Sequence, residues 1–183
     1  MKKMFTPRKM LGKTGFCATA LGIGDIADRS VPASTCVAIL RRALDAGLNV
    51  IDTAPSYEDG YSEEIVGQAV RGVRQEVFVI DKIDHFDRSV EPQVRESLRR
   101  LDMACVDLMV FHGVADRSTW QTLTAPAGRM EELEECRAAG LVRFCGISAH
   151  NPDVVEEAIL SGRCDVVLFA VGPYCDRRYV SRI

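Results

Sequence analysis

The sequence of 183 residues predicts an α/β fold in which short parallel strands alternate with helices. Three observations predict it. Short apolar runs alternate with longer segments whose apolar residues recur at helical spacing. Runs such as Val77–Ile80 and Val106–Phe111 are almost continuously apolar, as in strands that are buried on both faces of a sheet. The links from strand to helix are short. A doubly wound sheet and a (β/α)8 barrel share this pattern, and periodicity does not choose between them.

The predicted elements follow one another closely. A hairpin that turns at Lys13–Gly15 opens the chain. The predicted strands, all of them short, are Ala20–Gly24, Asn49–Thr53, Glu76–Ile83, Val106–Phe111, Val142–Ile147 and Asp165–Val171. The predicted helices, several of which end just before a glycine, are Ala33–Ala46, Glu63–Arg71, Val90–Leu101, Met130–Ala139 and Pro152–Leu160. The segment Gly113–Gly128 is predicted to be a long loop.

Composition argues against several classes of function. A formal net charge of -3 gives no electrostatic footprint for nucleic acid, and no apolar run is long enough to cross a membrane. The seven cysteines occur singly, which argues against a zinc site or a disulfide scaffold and favours a reducing cytoplasm. Metal binding by Asp84, His85 and Asp87 is not expected, because adjacent loop residues rarely converge on one ion.

Polar side chains stand at the ends of successive predicted strands, where parallel α/β folds place their chemistry. These residues are Asp52, Tyr57 in the loop that follows it, Lys82, His112 and Ser148. Each alone has a structural explanation, such as a capping aspartate, a snorkelling lysine or a histidine with an ordinary polar partner. The occurrence of these residue types in this order favours a catalytic site.

These residues resemble the aldo-keto reductase family. The matching motifs are the opening Leu11-Gly-Lys-Thr-Gly15, the stretch Asp52-Thr-Ala-Pro-Ser-Tyr57, the strand ends at Lys82 and His112, and Gly146-Ile-Ser148. The resemblance covers nearly the whole chain. It implies a TIM (β/α)8-type barrel with an N-terminal hairpin, formed by one domain over residues 1–183. That barrel is expected to be incomplete, truncated at the C-terminus with about six of the eight βα units, which is roughly the N-terminal two-thirds.

The resemblance also implies a reaction, the NADP-dependent reduction of an aldehyde or ketone, with NAD as a possible cofactor. Tyr57 is expected to be the general acid, and Lys82, held by Asp52, to favour its phenolate form. His112 is expected to hydrogen-bond the substrate carbonyl. Ser148 is expected to hold the nicotinamide, and Gly24 lies with Asp52 on the cofactor side.

The substrate-binding residues are expected to be Tyr57, His112 and Trp120. The indole of Trp120, in the segment after His112, either lines the substrate mouth or packs that segment onto the barrel. The residues alone leave both interpretations open, and they do not identify the substrate.

The sequence departs from the family at two positions that hold the nicotinamide. Ala149 stands where the family has asparagine, and Leu168 stands where it has glutamine. Asn151 is a candidate replacement for one of these amides, and Asp81 beside Lys82 has no explanation from the sequence. A second hypothesis is therefore a catalytically inactive barrel that binds nicotinamide or a protein partner. The missing C-terminal strands or self-association are expected to be needed to complete the barrel.

Overall fold

The computed structural model describes residues 7–182, and it contains a small antiparallel hairpin, a parallel sheet and a layer of helices. The strands are β1 (Arg8–Met10), β2 (Cys17–Thr19), β3 (Val50–Asp52), β4 (Phe78–Ile83), β5 (Val106–Phe111), β6 (Val142–Ala149) and β7 (Val166–Phe169). The helices are α1 (Ala33–Asp45), α2 (Tyr61–Val70), α3 (Val90–Leu101), α4 (Arg117–Thr124), α5 (Arg129–Ala138), α6 (Pro152–Ser161) and α7 (Arg178–Arg182). The first six residues and the last residue of the predicted domain lie outside the described range.

The sheet has five parallel strands in the order β3-β4-β5-β6-β7, so strands adjacent in sequence are also adjacent in space. Each pair is connected through at least one helix, as parallel strands require. The sheet curls into a half-barrel, which decides between the two architectures that the sequence left open. Every residue of β4 and β5 is buried, which is the burial that their almost continuously apolar sequences predicted.

Two apolar clusters lie on the two faces of the sheet. The larger one fills the space between the sheet and the helices. Helix α3 shows why, because its buried residues Val90, Val94, Leu98 and Leu101 recur at helical spacing along one face. The smaller cluster fills the inner side of the half-barrel and centres on Phe78. Phe16 of the hairpin segment packs against Phe78 with 5.2 Å between ring centroids, so the hairpin covers one end of this inner cluster.

Glycine at position 146 is required by the close approach of two strands. A Cβ atom added there would lie 1.9 Å from the backbone oxygen of Val166 on β7. No real Cβ contact is this short, so β6 and β7 pair in the observed register only because residue 146 has no side chain.

Two predictions of secondary structure were wrong. The segment Ala20–Gly24 forms only a single parallel bridge, between Ile23 and Ile51, so the described sheet has five strands rather than six. The segment Gly113–Gly128 is not a continuous loop, because it contains α4. Asp116 caps that helix by accepting a hydrogen bond from the backbone N–H of Thr119. The short helix α7 was not predicted.

Within residues 7–182 no helix is both long and apolar enough to cross a membrane. The same residues contain no cluster of three or more histidine, cysteine, aspartate or glutamate side chains that could hold a metal ion. Asp84, which was considered with His85 and Asp87 as a weak metal cluster, instead contacts His112.

Candidate active site

The polar residues predicted from the strand ends meet at one edge of the sheet. Asp52 ends β3, Lys82 lies near the end of β4, and His112 directly follows β5. The parallel register pairs Asp52 with Ile80 and Lys82 with Val110, so the C-terminal ends of β3, β4 and β5 lie side by side. Tyr57 lies in the 3-10 turn Tyr57–Gly60 that follows β3.

Lys82 is the buried centre of this group, with 4% of its side chain exposed. Its Nζ donates a hydrogen bond to Asp52 Oδ1 at 2.5 Å and another to the backbone oxygen of Thr53 at 2.7 Å. The same Nζ lies 4.5 Å from the centre of the Tyr57 ring. Two of the three ammonium hydrogens are thus engaged, and the ammonium is fixed beside the tyrosine.

Tyr57 is held in place by an unusual turn. The next three residues all have positive φ angles, 50° at Glu58, 52° at Asp59 and 82° at Gly60. Left-handed geometry is unfavourable for residues that carry a Cβ, so the surroundings must hold the turn. Arg29 contributes, because its Nη2 donates to the backbone oxygen of Glu58 at 2.6 Å.

His112 completes the group on the other side of the tyrosine. Its ring meets the Tyr57 ring edge to face, with centroids 5.8 Å apart and an angle of 80° between the planes. His112 Nδ1 lies 2.5 Å from Asp84 Oδ1, and Asp84 Oδ2 accepts the backbone N–H of Ser56 at 2.8 Å. Partial burial raises the pKa of Asp84, but the hydrogen bonds from His112 and Ser56 outweigh it, so the pKa lies below its ordinary value.

Asp84 was not among the predicted site residues, although one signal could have identified it. Side chains alternate between the two faces of a strand, so positions 82 and 84 point to the same side if the extended chain continues past β4. A carboxyl group two residues beyond Lys82 was therefore a candidate for the active site.

Ser148 stands at the end of β6 and is half-buried. Its Oγ accepts the backbone N–H of Gly113 at 2.8 Å, and its backbone oxygen accepts the N–H of Val114 at 2.8 Å. These bonds connect β6 to the segment that follows His112. Because the Oγ is used as an acceptor, the hydroxyl hydrogen remains available to a ligand.

The amide positions that the family would use near Ser148 are apolar here. Ala149 is buried in the larger core, and Leu168 of β7 packs against the inner cluster. The side chain of Asn151 has other partners, since it caps α6 by accepting the N–H of Asp153 at 3.0 Å. Its Nδ2 donates to the backbone oxygen of Ala115 at 3.2 Å, so both ends of this amide have structural partners.

Gly24 and Trp120 occupy different surroundings. Gly24 is exposed with open space beside it, and it follows Ile23, whose oxygen accepts the backbone N–H of Asp52 at 2.8 Å. Trp120 is only 4% exposed and belongs to the larger core on α4. This burial favours the interpretation in which the indole packs its segment down, and a contact between Trp120 and substrate stays a prediction.

Asp81 points away from Lys82, toward the helices, and is completely buried. Its Oδ1 accepts the backbone N–H of Lys82 at 2.8 Å. Burial raises the pKa of Asp81 well above its ordinary value, and the nearby carboxylate of Glu63 raises it further. Burial also raises the pKa of Glu63, an effect that the contact with Arg100 opposes. Asp81 and Glu63 are therefore two neighbouring buried carboxyl groups, and Asp81 directly precedes Lys82 in β4.

Residues 18–173 match the Aldo/keto reductase family. Among curated relatives, an uncharacterised oxidoreductase of Bacillus subtilis, YqkF, is 27% identical over 83% of this chain and 52% of its own length. An NADH-specific methylglyoxal reductase of Escherichia coli is 26% identical over 86% of this chain and 54% of its own. A crystal structure of an aldo-keto reductase from Klebsiella pneumoniae in complex with NADPH is 27% identical, with a TM-score of 0.73 over 89% of this chain and 58% of that one.

The chain thus spans about half the length of the curated relatives it matches. The matched region includes all the polar residues of the strand ends, from Asp52 to Ser148. With this match added to the half-barrel and its strand-end residues, the chain belongs to the aldo/keto reductase family.

Proposed function

We propose that this chain carries the catalytic site for NAD(P)H-dependent reduction of an aldehyde or ketone to an alcohol, with Tyr57 as the general acid. The single observation that carries the proposal is the arrangement around Tyr57. A buried ammonium, Lys82 Nζ, lies 4.5 Å from its ring centre, and the His112 ring lies 5.8 Å away on an edge-to-face contact. Membership of the family supports an oxidoreductase in general.

Each residue of the group has a separate role in proton transfer. Asp52 and the Thr53 carbonyl hold the ammonium of Lys82, and this positive charge favours the phenolate that Tyr57 becomes when it gives up its proton. Tyr57 protonates the carbonyl oxygen as that oxygen gains negative charge, and it removes the same proton in the direction of alcohol oxidation. His112 orients the oxygen through a hydrogen bond.

A nicotinamide cofactor would supply the hydride. Two atoms of this chain fit such a group. Asp52 Oδ2 is buried and has no hydrogen-bond partner among the described residues, so it can accept from a hydroxyl group. Ser148 retains a hydroxyl hydrogen that can be donated to a carboxamide oxygen. Gly24 leaves open space on the Asp52 side. We propose NADP, with NAD as the alternative.

A second function is favoured by a specific observation. Ala149 and Leu168 offer no polar atoms in their side chains where the family holds the nicotinamide amide, and Asn151 is committed to other partners. A barrel that binds nicotinamide or a protein partner without turnover is therefore the competing proposal.

We further propose that residues 1–183 act as one barrel domain in the cytoplasm, with a small carbonyl compound as the substrate. The seven cysteines are all free, which suits a reducing compartment. Burial raises the thiol pKa of Cys145 and of Cys164 to about 12, so these thiols remain protonated and unreactive at neutral pH. Additional strands or a second copy of the chain would close the barrel.

The test is NADPH binding and turnover by the purified chain, followed by cofactor fluorescence and by oxidation of NADPH with methylglyoxal as the carbonyl probe. We expect Tyr57→Phe to lower turnover by about 100-fold or more while NADPH binding is retained, because only the acid is removed. Lys82→Met should also lower turnover.

Tyr61→Phe is the matched control, since Tyr61 lies four residues further on and contacts Arg29 rather than Lys82. Its turnover should equal that of the unchanged chain. Binding of NADPH without turnover by the unchanged chain would favour the inactive barrel, and full turnover in Tyr57→Phe would exclude the assigned acid.

A further inference from the structure

The contact between His112 and Asp84 has a consequence for the reaction, and the consequence rests on the function proposed above. We propose that Asp84 fixes His112 in the tautomer with its proton on Nδ1, so that Nε2 donates a hydrogen bond to a substrate carbonyl only when the ring is charged. Asp84 is thus a positioning residue that acts through His112.

The geometry dictates the tautomer. Both oxygens of Asp84 face donors, Oδ2 accepting from the backbone N–H of Ser56 at 2.8 Å and Oδ1 lying 2.5 Å from His112 Nδ1. An ionised carboxylate can only accept hydrogen bonds, so the ring nitrogen that faces it must carry a hydrogen. The lowered pKa of Asp84, to which these bonds contribute against the effect of burial, keeps the group ionised at neutral pH.

The tautomer sets what the other nitrogen can do. A neutral imidazole carries one hydrogen, and with that hydrogen on Nδ1 the Nε2 atom presents a lone pair. A lone pair cannot donate to a carbonyl oxygen. A charged ring carries hydrogens on both nitrogens. The carboxylate of Asp84 stabilises that charge, because it contacts the ring directly and only 15% of the Asp84 side chain is exposed to solvent.

The titratable and charged groups around the ring come from three elements. Asp84 approaches from the end of β4, Tyr57 from the turn after β3, and the Lys82–Asp52 ion pair lies beyond Tyr57. On the β6 side, the neutral Ser148 accepts the N–H of Gly113, the residue after His112. Of the groups around the ring, the Asp84 carboxylate is the one in hydrogen-bond contact with a ring nitrogen.

The proton balance of the reduction follows. With hydride at the carbonyl carbon coming from a bound nicotinamide, Tyr57 would give its proton to the oxygen, and His112 would keep both of its hydrogens and donate only a hydrogen bond. We therefore expect kcat/KM for reduction to fall as the pH is raised and the ring of His112 loses its Nε2 proton.

The substitution Asp84→Asn is expected to change the tautomer of His112 while it keeps the packing around the ring. An asparagine can accept the Ser56 N–H with its oxygen and donate its amide N–H to His112 Nδ1, so both contacts survive. Donation to Nδ1 shifts the hydrogen of the neutral ring to Nε2. The variant should then reduce the carbonyl probe with a kcat/KM that does not fall when the ring loses its charge, whereas kcat/KM of the unchanged chain should fall about 10-fold per pH unit on its falling limb.

The direct measurement is nitrogen NMR of the chain labelled in histidine, which does not depend on turnover. At high pH the unchanged chain should show a protonated Nδ1 and an unprotonated Nε2 for His112, and Asp84→Asn should show the reverse. His112→Gln assigns the signals, and His85 and His150, the other two of the three histidines, should be unaffected. A protonated Nε2 on neutral His112 of the unchanged chain would overturn the proposal, whether or not the chain reduces carbonyls.

Discussion

The carboxyl groups of Asp81 and Glu63 are neighbours in the core, and both residues are completely buried. Asp81 Oδ2 and Glu63 Oε1 have no hydrogen-bond partner among the described residues. Burial raises the pKa of both groups, and the charge of Glu63 raises the pKa of Asp81 further, so this pair favours binding of a proton in the folded chain.

The raised pKa values make this pair a source of pH-dependent stability. The folded chain keeps protons that the unfolded chain releases above its ordinary carboxyl pKa values, about 4. The contribution of the pair is therefore complete below that pH and is lost as pH rises toward the folded pKa values.

We expect Asp81→Asn to raise the free energy of unfolding at pH 8 by about 1–3 kcal/mol, because the amide needs no proton and can donate to Glu63. At pH 4 the variant and the unchanged chain should be equally stable. Urea denaturation at both pH values measures the difference, and Asp45→Asn, at an exposed position on α1, serves as the control that should change neither value. A variant less stable at pH 8 would mean that Asp81 is ionised in the fold.

Single residues also show how far the sequence could predict the site. The family motifs fixed the identities of Asp52, Tyr57, Lys82 and His112, and the parallel register explains why they meet. The contact of Asp84 with His112 was not predicted, because His112 is 28 residues away in the sequence and follows another strand. The packing of Trp120 was one of two interpretations that the sequence left open, and the helix α4 that carries it was not predicted, because its apolar pattern is short.

At the level of elements, the prediction succeeded where apolar patterns were long. Strands β4 and β5 and helix α3 were placed to within one or two residues. The prediction of a strand over Ala20–Gly24 was wrong because a strand is defined by pairing rather than by propensity. Within this segment only Ile23 forms a bridge, to Ile51. The capped helix α4 begins at Arg117 with polar residues and contributes only two buried side chains, so its signal was weak.

The pairing of β6 with β7 depends on Gly146, and this gives a prediction for these elements. Gly146→Ala should destabilise the chain by about 1–3 kcal/mol, since its Cβ would collide with the backbone oxygen of Val166 and the strands would have to separate. Thermal or urea denaturation measures the effect.

Gly24→Ala is the matched control for Gly146→Ala, because nothing lies within 4 Å of a Cβ added at that position. It should leave stability nearly unchanged. Equal losses in the two variants would show that the close approach of β6 and β7 does not limit stability.

For the whole molecule, the described sheet ends at β3 on one side and at β7 on the other. All four residues of β7 are only half-buried. On the helix that precedes it, Leu160 is 80% exposed and Ile159 is 48% exposed. Apolar surface of this kind beside an unpaired strand edge promotes association with another polypeptide.

We expect the chain alone to self-associate, and the double variant Ile159→Lys with Leu160→Lys to do so less, because two charges would be placed at the open side. Sedimentation velocity over a range of protein concentrations measures the change. Met10→Lys, at a 54% exposed position on the hairpin, is the control and should not change association. A monomeric unchanged chain would show that β7 and α6 are sufficiently protected without a partner.

The strand order β3-β4-β5 has a consequence for how the site is assembled. Asp52, Tyr57, Lys82 and His112 lie within one continuous stretch of the sequence, and only two strand pairings bring them together. Both pairings join residues 28 positions apart, Val50 with Phe78 and Ile80 with Leu108, and each crosses one α-helix, as parallel strands require. The arrangement of these four side chains therefore depends on β3, β4 and β5, and the pairing of β6 with β7 is not needed to bring them together. All four side chains of the candidate site therefore precede β6 in the sequence, and the later strands add to the sheet without supplying any of the four.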